Sequence, residues 1–129
     1  MSKYNVIVPN NVKPKPEPHE IEAAEIIGEH FKSDVKFVKR NTSKSADIEI
    51  LKTGEIWEIK SPTGKGKHNI QHNVQAAAKQ SANIALDARR SKLHQTKFKN
   101  EAKHQFQIVA RAKKMLIITK ARKVLEIVK

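Results

Sequence analysis

The sequence predicts a single α/β domain with a mixed central sheet flanked by helices. Two runs that alternate apolar and polar residues are typical of paired strands, and further short apolar runs of strand type follow them. Segments with apolar residues at helical spacing separate these runs. The chain has 129 residues, which suffices for one domain with a hydrophobic core. The predicted order of elements is α, β, β, β, α, β, α, β, β.

The first third of the chain is expected to hold an arm, a helix and a strand. Residues 1–18 end in a proline-rich stretch, which favours an extended arm or linker and leaves 19–129 as the folded domain. Apolar residues at helical spacing predict a helix over 19–32, and Pro18 with the acids that follow it suits a helix start. A short strand over 34–39 and a polar loop over 41–45 come next.

The remaining elements are assigned from their apolar patterns. Residues 45–60 form a predicted hairpin that turns at Thr53-Gly54. The other predicted elements are helices over 69–81 and 101–114, strands over 83–87, 115–119 and 123–128, and a basic connection over 91–100.

The hairpin carries the most informative residues of the chain. Side chains alternate between the two faces of a strand, so Glu58 and Lys60 share a face. A two-residue loop at Thr53-Gly54 would place Glu49 opposite Glu58 and Asp47 opposite Lys60. Two or three carboxylates and one amine would then converge on one face. The other face is apolar and is predicted to be a core face: Ala46, Ile48, Ile50, Trp57 and Ile59.

This residue set suits metal-assisted cleavage of a phosphodiester. Asp47 and Glu58 could hold Mg²⁺, for which Mn²⁺ can substitute, because these ions take oxygen ligands and keep several waters. Such a metal lowers the pKa of a bound water and neutralises charge on phosphorus, and Lys60 could position the nucleophile or stabilise that charge. The alternative is a solvent-facing hairpin in which Asp47 and Lys60 form a cross-strand ion pair. Such a pair stabilises the folded state by about 0.2–1 kcal/mol.

Charge points to a polyanionic partner. The net charge is +13, and all of it lies after residue 60, because residues 1–60 contain ten basic and ten acidic residues. A cationic half of this kind is typical of nucleic-acid binders. An anionic membrane surface fits less well as a partner, because no segment sets bulky apolar residues against a basic stripe.

The chain has no cysteine, which excludes disulfides and thiolate metal sites. No membrane-spanning segment or signal peptide is evident, so a cytoplasmic site of action is expected.

Basic residues near strand ends are the predicted nucleic-acid contacts. Lys65 and Lys67 lie in the loop that follows the hairpin, and Arg89 and Arg90 follow the strand over 83–87. Ligands of α/β sheets bind at such strand ends. The loop resembles a phosphate-binding loop only in composition, because the Walker spacing is absent.

The histidines offer two weaker alternatives. His68 and His72 have the i, i+4 spacing of a helical metal chelate, although contact with phosphate or solvent is the more common use of such a pair. His94 and His104 could form the acid–base pair of a metal-free RNase that uses the ribose 2′-OH.

The element order, with Asp47 and Glu58-Ile59-Lys60 on the second and third strands, resembles the PD-(D/E)xK nuclease superfamily. Ala46 replaces the proline of that motif. The chain is also similar to the C-terminal tRNA-nuclease toxin domains of CdiA-type contact-dependent growth inhibition proteins. The segments that carry this similarity are His19-Glu20-Ile21 with Ala24, Trp57 to Pro62, Lys79-Gln80-Ser81 and Leu86 to Arg90.

The resemblance implies a metal-dependent endonuclease of RNA, with tRNA as substrate. It also implies a catalytic glutamate on the first helix, for which Glu20 is the choice and Glu22 and Glu25 stay open, and an auxiliary polar residue on the second helix, Gln80 or less favourably Gln75. Further implications are an acidic immunity protein and delivery as the C-terminal part of a secreted or phage-borne protein. The alternatives are a PD-(D/E)xK DNase of repair, resolvase or phage type, and a non-catalytic basic RNA-binding protein.

Overall fold

The computed structural model describes residues 3–38 and 46–129, which contain seven strands and three helices. The predicted loop over 41–45 lies outside the described residues. The elements, in chain order, are β1 (Val6–Ile7), α1 (Pro18–Phe31), β2 (Val35–Phe37), β3 (Ala46–Ile50), β4 (Glu55–Lys60), α2 (Lys67–Ala78), β5 (Asn83–Asp87), α3 (Gln95–Ile108), β6 (Lys114–Ile118) and β7 (Val124–Val128). Within the described ranges, no helix is long and apolar enough to cross a membrane.

All seven strands form one mixed sheet in chain order from β1 to β7. The pairs β1–β2, β4–β5 and β5–β6 are parallel, and the other three pairs are antiparallel. The predicted α/β class with a mixed sheet flanked by helices is therefore confirmed.

The sheet has a hydrophobic core on each face. Helix α1 packs on the face that bears Trp57 and Ile59, and the Trp57 ring lies 5.5 Å from that of Phe31. Helices α2 and α3 pack on the other face, over Ile84 and Leu86. The predicted core face of the hairpin is confirmed, since its five apolar residues belong to the α1 core.

The N-terminal arm differs from the prediction. The expectation that residues 1–18 hold no folded element is wrong at two points, because β1 pairs with β2 and Val12 is buried in the α1 core. The backbone N–H groups of Lys3 and Asn5 donate to Glu29 and Asp34, both 2.8 Å away. A two-residue strand has too little pattern to be seen in the sequence, because only its pairing with β2 defines it.

Helix α3 begins earlier than predicted, at Gln95 and not at Glu101. Its N-cap is His94, whose Nδ1 accepts from the backbone N–H of Thr96 at 3.2 Å. Phe98 and Ala102 face the core one turn apart, so the first half of the helix is amphipathic despite its lysines. The predicted basic connection over 91–100 is thus largely helical.

Candidate active site

The hairpin brings Asp47 directly opposite Glu58. Its loop has four residues, 51–54, in which Gly54 adopts φ 79° and donates its N–H to the carbonyl of Ile50 at 2.7 Å. The predicted register, with Glu49 opposite Glu58, is wrong by two residues, and Glu49 instead faces Ile56. Because a shift of two residues preserves the side-chain faces, the predicted convergence of Asp47, Glu58 and Lys60 on one face stands.

Two of these three residues are buried charged groups. Glu58 is fully buried and Lys60 is 7% exposed. Their charged atoms, Nζ and Oε1, lie 3.9 Å apart, which gives each charge a partner of opposite sign. Charges buried at this depth are rare in proteins unless they are paired. Burial of an ion pair contributes little to stability, so stability alone does not explain the presence of Glu58 and Lys60 in this part of the sheet.

Asp47, the third of these residues, lies at the margin of the core. It is half-buried, and its Oδ1 is buried without a hydrogen bond in the part of the chain that the structure describes. Helix α2 packs on β4 and β5, whereas Lys36, Glu49 and Ile56 on the same face of β2, β3 and β4 remain at least partly exposed. The Asp47–Glu58 pair thus lies between the part of this face that α2 covers and the part that is more exposed.

The donor set fits a hard divalent cation. Asp47 and Glu58 would hold it as two carboxylates on facing strands, and the buried Oδ1 of Asp47 is the observation that favours such a ligand. Across residues 3–38 and 46–129, no group of three or more His, Cys, Asp and Glu side chains could hold a metal ion together. Most of the coordination shell would therefore come from waters and substrate oxygens, as Mg²⁺ prefers.

Glu20 does not share one carboxylate cluster with Asp47 and Glu58. It lies in the first turn of α1, which packs on the opposite face of the sheet, and its Oε1 accepts from the backbone N–H of Glu17 at 2.8 Å in a capping box. Glu22 faces Arg89 and Arg122 at 3.8 and 3.3 Å, which makes it an ion-pairing residue.

A polar cavity of about 250 Å³ lies beside the end of β4. The cavity lies between the first turn of α1, the residues after β4, the middle of α2 and Arg90. The lining residues are Glu17, His19, Glu20, Ile59, Ser61, Thr63, Asn73 and Arg90. Sequence reasoning missed Asn73, Ser61 and Thr63, which are common polar residues without a distinguishing spacing.

Arg89 and Arg90 are adjacent in sequence but differ in their surroundings. The Arg89 guanidinium forms a fork with Asp87, at 2.9 and 2.7 Å, and also donates to the carbonyl oxygen of His19 at 2.8 Å. The hydrogen bond to Asp87 raises the pKa of Arg89. Arg89 therefore links β5 to α1. It has a structural role in place of the predicted role as a phosphate ligand.

Arg90 remains a candidate for phosphate contact. It is exposed, and its guanidinium lies 2.7 Å from Nε2 of His19. Lys65 is also exposed, in a loop whose Gly64 N–H donates to Oδ1 of Asn69 at 3.2 Å. Lys67 begins α2, and its side chain lies outside the described part of the structure.

Gln80 lies far from Lys60. It follows the end of α2, next to Ser81, whose hydroxyl donates to the carbonyl of Ile56 at the start of β4. Lys60 lies four residues beyond Ile56 along the strand, a distance of about 13 Å. Gln80 therefore lies too far from Lys60 for the predicted auxiliary role. Gln75, the other candidate on α2, is exposed to solvent. Asn73 on α2 lines the cavity beside the end of β4, together with Ile59 and Ser61.

The histidine alternatives lose support. His94 caps α3, and His104 lies ten residues further along that helix, about 15 Å away, too far to share one proton transfer. His68 contacts Gln71 at 3.3 Å, and both it and His72 are exposed.

Comparison with known proteins assigns the family. Residues 44–124 match the family model of the contact-dependent growth inhibition CdiA C-terminal domain. The fold is similar to that of a chain in the CdiA-CT/CdiI toxin and immunity complex from Burkholderia pseudomallei, with a TM-score of 0.63, 16% sequence identity, and coverage of 95% of this chain and 98% of that chain. No curated protein is significantly similar in sequence. Because the family model matches well over half of the sequence, the chain belongs to the CdiA C-terminal domain family of contact-dependent growth inhibition proteins.

Proposed function

We propose that the chain is a metal-dependent endoribonuclease that acts as a growth-inhibition toxin and cleaves tRNA. The observation that carries the proposal is the direct opposition of Asp47 and Glu58, with the Lys60 ammonium 3.9 Å from Glu58. Buried charged groups at the margin of a core are typical of catalytic sites. Membership of the CdiA C-terminal family supports the toxin role.

The charge distribution indicates how the substrate would approach. Helix α3 carries three lysines and one acid, whereas α1 on the other face of the sheet carries four acids and no lysine or arginine. The face of the sheet that bears Asp47 and Glu58 is the α2–α3 face. A polyanion would therefore be attracted to the side of the sheet where the candidate catalytic residues lie.

The three residues would have separate roles at the phosphate. A divalent cation held by Asp47 and Glu58 would neutralise phosphate charge and lower the pKa of a water ligand. The Lys60 ammonium has three N–H donors and would hold the attacking water or an oxygen of the phosphate as its charge grows. Glu58 restrains Lys60 through their ion pair, so the ammonium is positioned before the substrate arrives.

Cleavage assays with matched substrates test this function. Purified chain should cleave tRNA with Mg²⁺ or Mn²⁺, and EDTA should stop the reaction until metal is restored. The products should carry 5′-phosphates, because in this metal-assisted hydrolysis water attacks phosphorus while the P–O3′ bond breaks and the 3′-oxygen leaves as a hydroxyl. Products with 2′,3′-cyclic phosphate formed equally well in EDTA would contradict the metal mechanism, and preferential cleavage of a matched DNA would replace the RNA assignment with a DNase.

We also propose an acidic immunity partner. The similar chain from Burkholderia pseudomallei comes from a toxin and immunity complex, and the +13 charge of this chain suits an acidic protein that covers the α2–α3 face. Expression of the wild-type chain in a bacterium should arrest growth, and Lys60→Ala should not. Co-expression of an acidic protein encoded beside the toxin should restore growth. Harmless expression of an active wild type would contradict the toxin role.

A further inference from the structure

We propose that the immunity protein docks on the outer edge of β7 and adds one of its own strands to the sheet there. The inference rests on the acidic partner proposed above and assigns the surface that this partner binds. The outer edge is the side of β7 that does not pair with β6, and it consists of the backbone N–H and C=O groups of Val124, Glu126 and Val128.

The sheet has two outer strands, β1 and β7, and they differ in length. Strand β1 has two residues, whereas β7 has five. The register of β7 with β6 runs without a bulge from Val128 opposite Lys114 to Val124 opposite Ile118, and β7 contains no proline. Proteins often protect an outer strand by shortening it or by inserting a bulge or a proline. Strand β1 is protected by its shortness, whereas β7 has none of these three features.

Two hydrogen bonds fix which backbone groups of β7 bond to β6. The N–H of Thr119 donates to the carbonyl of Lys123 at 2.8 Å, and the N–H of Lys129 donates to the carbonyl of Lys113 at 3.1 Å. In an antiparallel pair, every second residue of a strand exchanges hydrogen bonds with the neighbouring strand. The odd-numbered residues from Lys123 to Lys129 therefore bond to β6.

The three even-numbered residues point their backbone groups away from the sheet. Val124, Glu126 and Val128 thus present three N–H and three C=O groups along the outer edge. No strand within the described ranges pairs with that side of β7. Residues of one parity recur about every 6.8 Å along a strand, so this edge has the spacing that another peptide strand requires.

Exposed apolar side chains lie on both sides of this edge. Ile108 and Val128 are the two most exposed large hydrophobic residues of the described chain, at 59% and 58%. Val128 is on the face of the sheet that Val124 shares with α1, whereas Ile108 ends α3 on the other face. The Lys129 ammonium donates to the carbonyl of Val109, which brings the end of α3 beside the end of β7. An added strand could therefore bury apolar surface above and below the edge.

The chemistry of the edge selects a protein over RNA. Peptide strands alternate N–H donors with C=O acceptors, as this edge does, whereas an RNA backbone presents a row of phosphate acceptors. Charge selects the kind of protein. Two copies of a chain with a net charge of +13 repel each other, and antiparallel pairing of two β7 strands about their centres would set Glu126 against its own copy. An acidic protein is attracted by the same charge.

The position of β7 connects this edge to the cationic surface. The side chains of Leu125 and Ile127 pack against the α2–α3 core, so β7 borders the face of the sheet that α3 covers. Helix α3 carries Lys97, Lys99 and Lys103. A partner that adds a strand to β7 can therefore extend its acidic surface over α3, where the RNA backbone would otherwise bind.

The test measures binding of the full chain to the acidic protein encoded beside the toxin, by calorimetry. Glu126→Pro removes an outward N–H and keeps every hydrogen bond between β6 and β7, and prolines are tolerated in outer strands at such positions. It should weaken binding by at least about tenfold, the effect of losing about one backbone hydrogen bond. Glu126→Ala is the matched control, because it removes the same side chain and keeps the N–H. It should bind at least as tightly as the wild type.

Amide hydrogen exchange in the wild-type complex provides a second measurement that needs no substitution. The amides of Val124, Glu126 and Val128 should exchange rapidly in the unbound chain and at least about tenfold more slowly in the complex. The amides of Leu125 and Ile127, which already bond to β6, should be protected in both states. Unchanged exchange at the three outward amides would overturn the inference, even where Glu126→Pro alters folding.

The outcomes separate this inference from the proposed function. Tight binding of the partner that is equal for Glu126→Pro and Glu126→Ala would overturn the docking site and leave the immunity partner in place. Absence of binding to the wild type would overturn both. Neither result would affect the nuclease, since β7 lies three strands from β4 and both variants should cleave RNA at the wild-type rate.

Discussion

At the residue scale, Arg89 and Arg90 show how far two identical neighbours can diverge. In the sequence both are basic residues after a strand, and nothing distinguishes them. In the structure Arg89 forms a fork with the fully buried Asp87 and contacts α1, whereas Arg90 is exposed at the rim of the cavity. Which arginine is structural depends on the packing of α1 against the end of β5, which the local sequence does not contain.

Substitutions at these two positions should therefore have opposite effects. Arg89→Gln leaves the Asp87 carboxylate buried without its cation and should lower the free energy of unfolding by about 3–5 kcal/mol. Arg90→Gln should change it by less than about 0.5 kcal/mol, because the side chain is exposed, but should weaken binding of RNA. Chemical denaturation and an RNA titration of both variants measure the two effects. Equal destabilisation by both changes would refute the structural role of Arg89.

At the element scale, the hairpin shows which part of a site is predictable. Alternation along β3 and β4 depends only on the period of a strand, so the shared face of Asp47, Glu58 and Lys60 could be predicted from the sequence. The register depends on loop length, and a four-residue loop cannot be distinguished from a two-residue loop at the same Gly54 by pattern alone. The polar cavity was not predictable, because it requires α1 and α2 to meet the end of β4 from opposite faces.

The end of α1 provides a second element-scale prediction. A Cβ on Gly28 would lie 2.9 Å from the carbonyl oxygen of Ser33, where the chain returns toward β2. Gly28→Ala should therefore lower the free energy of unfolding by about 1–3 kcal/mol through overpacking. Lys32 adopts φ 54° at the C-cap of the helix, so Lys32→Gly should raise stability by up to about 1 kcal/mol. Thermal denaturation of the two variants should show shifts of opposite sign, and a stabilising Gly28→Ala would contradict the close approach.

At the scale of the whole molecule, charge is segregated across the sheet. Acids are concentrated in α1 on one face, and lysines are concentrated in α3 on the other. The sequence predicted the cationic second half, but only the sheet topology shows that this half shares a face with Asp47 and Glu58. This arrangement predicts a long-range, weakly specific attraction for a polyanion such as the proposed RNA substrate.

The salt dependence of RNA binding tests this asymmetry. Changing Lys97 and Lys103 on α3 to glutamine should lower the slope of log affinity against log salt by about one unit for each phosphate that the variant no longer neutralises. The matched control changes Lys32 and Lys52 to glutamine, which removes the same charge at the cavity lined by Tyr4 and Asp34. That control should leave the slope nearly unchanged. Equal changes of slope in both double variants would mean that net charge, and not the α3 surface, drives binding.

The most direct test of the central claim compares two carboxylates on the same strand and face. Asp47 lies opposite Glu58, whereas Glu49 lies two residues away, opposite Ile56. Asp47→Asn should reduce the rate of Mg²⁺-dependent tRNA cleavage by on the order of a thousandfold, because it removes a charged ligand without changing shape. Glu49→Gln should cleave at nearly the wild-type rate. Full activity of Asp47→Asn, or equal reductions of rate in the two variants, would contradict a catalytic centre built on Asp47, Glu58 and Lys60.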